Sequence, residues 1–334
     1  MDRRRVAGLA LIVISAVGFG SGTVLSKPIY GTGLDWVQLL AWRFTIGAIL
    51  AWGWLLLSPV RRRALGRLGR RQVLVSVGLG VWYTGNAGTY YASLETVPAS
   101  LAGVLVYMYP VLVAVLSVWF ATRLTGRRPW IALAITIVGV VLTLGGIDLA
   151  ANVSAGGIAL VFASALFYSG WIILSARLAG ERSDRLADAT AGSGSVDDAS
   201  AASPVMMTAT AAVFVMAALA TGRPYLPPQI PADAWPLLLV IGFAGTFLSI
   251  QTFYAGSRRI GAAQAALVST VEPLVIVVFA WIFLREVLAP IQLIGAALIV
   301  IGVLIAQTAE RPRGAPEPAS PLDAEVAGGS AANG

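Results

Sequence analysis

The sequence predicts an all-α integral membrane protein of ten transmembrane helices, arranged as two inverted five-helix repeats. Three observations carry that prediction. Hydrophobic residues make up 57% of the 334-residue chain and charged residues only 12%, about half the charged share of a typical soluble domain. The apolar residues gather into ten runs of about membrane-crossing length. The second half of the chain also repeats the first.

A helix rises about 1.5 Å per residue, so crossing a hydrocarbon core of about 30 Å takes about 20 apolar residues. The first repeat supplies runs from Val6 to Leu25, Trp36 to Leu57, Val73 to Tyr91, Pro98 to Phe120 and Trp130 to Gly146. The second supplies Gly156 to Ala176, Pro204 to Thr221, Ala234 to Ala255, Ala262 to Leu284 and Pro290 to Gln307. The runs beginning at Trp130 and Pro204 are short for a crossing. Between and beyond the runs, Gly180 to Ser203 and Glu310 to Gly334 are rich in Ala, Ser, Gly, Pro and Asp. They offer too little apolar surface to offset the entropy of ordering. The expected organisation is therefore a first repeat over 1–147, a second over 148–307 with an unstructured linker at 177–203, and a disordered tail over 308–334.

The net charge of +7 would suit nucleic acid if the basic residues clustered on a folded surface, but they sit in the connections. Basic residues in short loops stay on the cytoplasmic side. With the N-terminus inside, that side receives Arg3, Arg4, Arg5, Arg61, Arg62, Arg63, Arg67, Arg70, Arg71, Arg123, Arg127, Arg128, Arg177, Arg182, Arg185, Arg258, Arg259, Arg311 and Arg313. The outer side receives only Lys27, Arg223 and Arg285, and Arg43 lies within a span. A multi-pass cell-membrane protein with both termini cytoplasmic follows. The Arg61 to Arg71 run reads as a topology signal that also faces anionic lipid, and no nucleic-acid partner is expected. Three arginines before an apolar run resemble a signal peptide, but no small-x-small cleavage site follows them.

The chain has no cysteine and no histidine. Thiolate nucleophiles, imidazole bases and the usual zinc ligand sets are excluded, and no cofactor or metal is expected.

A shift of 163 residues places Tyr91-Ala92 on Tyr254-Ala255, Ala99 on Ala262, Ala102 on Ala265, Pro110 on Pro273, Phe120 on Phe283, Ala134 on Ala297 and Gly139-Val140 on Gly302-Val303. A shift of 149 places Gly8 on Gly157, Ala10-Leu11 on Ala159-Leu160, Ser15-Ala16 on Ser164-Ala165 and Leu25-Ser26 on Leu174-Ser175. Five spans is an odd number, so the second copy enters the membrane facing the other way. Alternating access exploits such inverted halves around a site near the midplane.

The two repeats, the run Glu272-Pro273-Leu-Val-Ile-Val-Val-Phe-Ala-Trp-Ile-Phe-Leu-Arg-Glu286, the stretch Gln292 to Gly295 and the pair Gly302-Val303 resemble the EamA-type transporters of the drug/metabolite transporter superfamily. The resemblance covers roughly residues 6 to 307 and implies movement of a small solute across the membrane. One position departs from the family pattern: Arg123 stands where the second copy has Glu286. The acid there is expected to be dispensable for transport.

Several residues are candidates for chemistry. Pro110 and Pro273 fall near the centre of their spans, where proline removes a backbone hydrogen bond and kinks the helix; both are candidate helix breaks, either lining a central cavity or serving only as packing kinks. Glu272 precedes the second proline at mid-membrane, where an acid costs about 2.5 to 3.5 kcal/mol to insert and so faces the protein interior. It is a candidate proton carrier or counter-ion. Gln264 shares its helix face two turns earlier, and Tyr109 holds the matching position in the first copy.

Arg43 lies about 10 Å below the outer end of the second helix by its rise per residue. A role on a substrate carboxylate, a pair with Glu272 and snorkelling to the interface all remain open for it. Trp82, Asn86 and Tyr90 recur at helical spacing, as do Ser164, Tyr168 and Trp171, and Gln251 with Tyr254. Such sets suit either a polar cavity or aromatic belts and interhelical bonds. Gly18, Gly20 and Gly22 imply close helix packing.

The function expected is secondary transport of small metabolites, amino acids or related compounds, in the efflux direction, driven by a gradient of protons or another ion or by the solute's own gradient. An uncoupled facilitator or channel is the main alternative, and a membrane enzyme or lipid-handling protein the lesser one.

Overall fold

The computed structural model describes residues 3–66, 68–120, 127–145, 153–178, 195–260, 265 and 268–309, and every regular element among them is helical. In chain order these are α1 (Arg3–Gly31), α2 (Trp36–Leu56), α3 (Pro59–Gly66), α4 (Arg70–Ser93), α5 (Ala99–Val106), α6 (Tyr109–Phe120) and α7 (Arg128–Gly145). After them come α8 (Ala155–Leu178), α9 (Ser195–Ala220), α10 (Ala234–Gly242), α11 (Ser249–Ile260), α12 (Glu272–Phe279) and α13 (Pro290–Ala309). A π-helical segment, Phe243–Leu248, joins α10 to α11, and another, Ala280–Leu284, extends α12.

Local sequence explains the helix ends. Asp35 precedes α2, and its carboxylate accepts from the backbone N–H of Val37 at 2.9 Å and of Gln38 at 3.0 Å. Gln38 returns the favour by accepting from the Asp35 N–H at 3.1 Å. Two of the donors that a helix leaves unsatisfied are thereby paired.

The described helices include five that are long and apolar enough to cross a membrane: Arg3–Gly31, Trp36–Leu56, Ala155–Ser175, Ala202–Ala220 and Ala234–Ser257. Four shorter apolar helices accompany them, at Ala99–Val113, Trp130–Leu144, Glu272–Leu284 and Pro290–Ile305. Large apolar side chains such as Leu57, Leu74, Val141, Trp281, Phe283 and Ile294 are exposed on the outside of the bundle. An apolar exterior is what a lipid solvent requires. The chain is a multi-pass membrane protein.

The helix pairing has a regular scheme. α2 packs against α9, α7 against α13, α5 against α12, α1 against α11 and α4 against α8. Each pair runs antiparallel. Trp36, at the start of α2, meets Phe214 late in α9, while Trp52 near the end of α2 donates to Thr208, near the middle of α9, at 3.0 Å. A methyl on Gly139 would lie 2.7 Å from the Gly295 carbonyl, and one on Gly302 would lie 2.2 Å from Thr136 Oγ1, so α7 and α13 touch backbone to backbone in opposite senses. Gly18 approaches Ser249 and Gly8 approaches Ile260, which reverses α11 against α1. Asn86 accepts from Ser164 at 2.8 Å, while Val97, just beyond the end of α4, abuts Gly157 at the start of α8.

In repeat terms, second pairs with second, fourth with fourth and fifth with fifth, while the first helix of each copy pairs with the third of the other. Exchanging the copies leaves this scheme unchanged.

Two expectations need correction. The span from Pro98 to Phe120 is not one kinked helix: it stops at Val106, passes through a turn at Tyr107 and Met108, and restarts at Tyr109. The span from Ala262 to Leu284 likewise turns at Thr270 and Val271 and restarts at Glu272. The two turns are 163 residues apart, the repeat shift itself. Pro110 and Pro273 are therefore second residues of new helices, where a missing N–H costs nothing. Residues 195–203, expected in the unstructured linker, belong to α9. Their Ser-Val-Asp-Asp start is a pattern that favours a helix N-terminus. The rest of the linker after residue 178, and the tail from residue 310, lie outside the described residues.

Candidate functional site

The two broken helices face each other. Tyr107, in the first turn, donates its hydroxyl to the backbone carbonyl of Ser269, beside the second turn, at 2.6 Å. The same hydroxyl lies 3.4 Å from Glu272 Oε2. Breaks of this kind leave carbonyls and N–H groups without helical partners, tolerated in a membrane only where protein or a wet cavity satisfies them. With eight residues in α5, the first break lies about 12 Å along its span by helical rise.

Around the breaks lies an aromatic cluster drawn from α4, α6 and α8. Tyr168 meets Tyr109 edge-on, with centroids 4.5 Å apart, and stacks on Trp171 at 5.9 Å. Tyr83 contacts both Tyr168, at 6.5 Å, and Trp171, at 5.8 Å. Tyr107 closes the ring against Tyr109 at 5.5 Å, and Ser169 ties α8 to the first break by donating to the Tyr109 carbonyl at 3.1 Å. The side chains of Tyr83, Tyr109, Tyr168, Trp171 and Glu272 remain half-buried although they sit between helices. The indole N–H of Trp171 is buried without a hydrogen-bond partner among the described residues, a donor that buried groups rarely leave unused.

Arg43 stands beside this cluster as a structural staple. Its guanidinium donates to Thr246 Oγ1 at 2.8 Å, to the Gly245 carbonyl at 2.9 Å and to the Tyr91 hydroxyl. The guanidinium carbon also lies 4.9 Å from the Tyr91 ring centroid. Gly245 and Thr246 belong to the π segment, whose wider ladder displaces carbonyls from their usual partners. Side chains absorb the surplus: Thr246 donates to the Ile241 carbonyl at 3.2 Å, Ser249 to the Ala244 carbonyl at 2.6 Å, and Ser15 to the Ser249 carbonyl at 2.8 Å. Arg43 is thus held by three protein partners and forms no ion pair with Glu272.

The other residues singled out in the sequence divide between the interior and the rim. Asn86 is buried and bonded to Ser164. Tyr90 is half-buried, its hydroxyl 3.4 Å from Thr23 Oγ1. Gln251 and Tyr254 are half-buried on α11. Trp82 points the other way. It is 41% exposed, packs on Phe167 and donates to the Phe167 carbonyl at 3.0 Å, so it belongs to the lipid-facing edge of the α4/α8 seam. Gln264 lies outside the described residues.

Tyr83, Tyr91 and Tyr107 were missed in the sequence. The interval Tyr83, Asn86, Tyr90 fits helical spacing better than one starting at Trp82 and marks the inward face of α4. Nothing local marks Tyr107, whose role comes from a break in an unbroken apolar run.

A helical, lipid-soluble bundle with paired helix breaks around a polar aromatic interior is an architecture that membrane transporters use. The model of the EamA-like transporter family matches residues 6–145 and 189–308, one match per repeat, and the chain belongs to that family. It is 27% identical to an uncharacterized transporter of Archaeoglobus fulgidus over 300 residues, covering 90% of this chain and 96% of that protein. It is 24% identical over 306 residues to the Bacillus subtilis protein named uncharacterized transporter YcbK, covering 88% and 90%. A solved structure titled only as the crystal structure of a protein superposes with a TM-score of 0.59 at 19% identity, over 92% of this chain and 99% of that one. At that identity the match speaks for the fold alone.

Proposed function

We propose that the protein is a secondary transporter that exports small metabolites, amino acids or related compounds, across the cell membrane by alternating access. In this reading ten spans form two inverted five-helix repeats, over 1–147 and 148–307, with both termini cytoplasmic. The observation that carries it is the pair of helix breaks at repeat-equivalent positions, bridged by Tyr107 and Ser269 and edged by Glu272. The antiparallel, exchange-invariant helix pairing supports inversion, because equivalent helices of the two copies then run in opposite directions.

The substrate meets the tyrosines and Trp171 with its apolar part and the free indole N–H with an acceptor. Glu272 supplies a titratable group beside the Tyr107 hydroxyl and couples a proton to the solute. Arg43 holds the third helix of the second repeat in place rather than touching solute.

The test is purified protein in proteoliposomes, loaded with mixed amino acids and given an imposed pH gradient. Solute moves against its own gradient in wild type. Glu272→Gln retains folding and solute exchange but loses the response to the pH gradient. An identical pH response in the variant removes Glu272 from coupling. Downhill flux that no pH or ion gradient can drive uphill identifies a facilitator instead.

A further inference from the structure

Away from the central site, α5 begins without a cap of its own. The residue before it is Pro98, which provides no side-chain hydrogen bond. The missing acceptor comes from the other repeat. Glu286 accepts from the Ala99 N–H at 3.0 Å and, through its second oxygen, from the Ser100 N–H at 2.8 Å and the Ser100 hydroxyl at 2.7 Å. A carboxylate on free N–H groups at a helix start is a charge-assisted bond favoured by the helix dipole.

The backbone delivering it is unusual. The π segment Ala280–Leu284 ends in Arg285 at φ +58°, in the left-handed region, and the Glu286 N–H donates back to the Ala280 carbonyl at 3.2 Å. A residue with a side chain keeps that conformation only when its surroundings hold it. Lys27 completes the arrangement by donating to the Val97 carbonyl at 2.7 Å, close enough to attract Glu286. A crevice of about 400 Å³ opens beside them, lined by Lys27, Thr96, Val97, Pro98, Val153 and Glu286 among others.

Shifting by 163 residues, the counterparts of Glu286, Ala99 and Ser100 are Arg123, Ala262 and Ala263. A guanidinium cannot accept from N–H groups, and alanine has no hydroxyl. The two copies therefore differ in chemistry at this position, as they do at Glu272 and Tyr109.

We infer that Glu286, clasped to the start of α5, is a latch between the repeats at the arginine-poor end of the bundle, and that its lack of a counterpart biases the resting protein towards closure at that end. This rests on the transport reading only for its purpose. The latch itself is a difference in interaction between two conformations, which is what sets their populations.

The chain has no cysteine, so a single introduced thiol reports alone. Ile276 is 1% exposed and packs on Gly103 along the α5/α12 seam beneath the latch. In cells carrying Ile276→Cys, labelling by a membrane-impermeant maleimide from the arginine-poor side is slow. Adding Glu286→Ala raises the rate about tenfold or more, which corresponds to about 1.4 kcal/mol. Ser100→Ala, which spares both backbone bonds, raises it about threefold. Glu95→Ala removes the acid that accepts from the Trp36 N–H within the first repeat at 3.2 Å and leaves the rate unchanged.

Unchanged labelling in both Glu286→Ala and Ser100→Ala overturns the latch, as does an equal rise in Glu95→Ala. If Glu286→Ala does not reach the membrane, Ser100→Ala and Glu286→Gln decide the matter by the same readout. Labelling needs no solute, so a protein that labels as expected but moves nothing in proteoliposomes sinks the transport reading and leaves the latch standing.

Discussion

Replacing Arg43 tests whether the guanidinium serves the fold or the solute. It is 6% exposed and makes three side-chain hydrogen bonds, to Thr246, Gly245 and Tyr91, all on parts of the bundle outside its own helix. A hydrogen bond to a charged group contributes about 1.5 to 3 kcal/mol, and a buried partner left unsatisfied costs about 1 to 3 kcal/mol. Against this stands the desolvation cost of a buried cation, which the substitution relieves. The Gly245 carbonyl decides the balance, because in a π segment it has lost its ordinary helical donor.

Arg43→Ala is therefore expected to lose about 3 kcal/mol. Arg43→Lys is expected to lose less, since an ammonium can keep one or two of the bonds but not the fork. Unfolding of the purified protein by SDS in mixed micelles measures both. A variant Arg43→Ala as stable as wild type, with altered solute affinity, would refute the reasoning and return Arg43 to the binding site.

Tyr107→Phe removes the hydroxyl that donates to the Ser269 carbonyl and lies 3.4 Å from Glu272 Oε2, across the two helix breaks. It should slow exchange in proteoliposomes with little change in expression, and a wild-type rate would count against the facing breaks as the moving parts. Gly295→Ala would place a methyl 2.4 Å from Thr143 Oγ1 and 2.6 Å from the Gly139 carbonyl. Forcing α7 and α13 apart should cost about 1 to 3 kcal/mol. Gly53→Ala, with nothing within 4 Å of the new methyl, should instead gain about 0.5 to 1 kcal/mol from helix propensity. The same SDS titration reads both, and destabilisation of equal size would show that packing is not the cause.

The lipid-soluble helices were legible because apolar run length follows directly from membrane thickness. The glycines of α1 were legible as packing residues, and a methyl on Gly18 would indeed fall 2.1 Å from Ser249 Oγ. The helix breaks were legible in their neighbourhood, from Pro110 and Pro273, but not in their position or as full turns. Val104 to Val106 and Val111 to Val113 are equally apolar on either side of Tyr107 and Met108, and the prolines mark only the neighbourhood of a restart.

The partners of Arg43 were out of reach for a different reason. Gly245 and Thr246 lie more than 200 residues away on a π segment whose ladder depends on tertiary packing, and Tyr91 lies 48 residues away on another helix, so no local pattern announces them. The partners of Glu286 were hidden because comparing the two copies shows only a mismatch with Arg123 and says nothing of the Ala99 and Ser100 N–H groups that its carboxylate accepts from. Trp82 misled because helical spacing fixes a face only to within one residue, and its neighbour Tyr83 was the inward one.

The π segment between α10 and α11 has a bearing on how this chain tolerates insertions and deletions. Each helical residue advances the chain by about 100° around the axis. A segment that closes its ladder one residue later carries, in effect, one surplus amino acid, and everything downstream is turned by that angle relative to a straight continuation. Gln251 and Tyr254 owe their present bearing to that surplus. Excising one residue between Phe243 and Leu248 would let an ordinary ladder close with ease, yet it would swing both side chains away and strand the guanidinium of Arg43. The length of this short stretch, more than its composition, is what the rest of the bundle depends on.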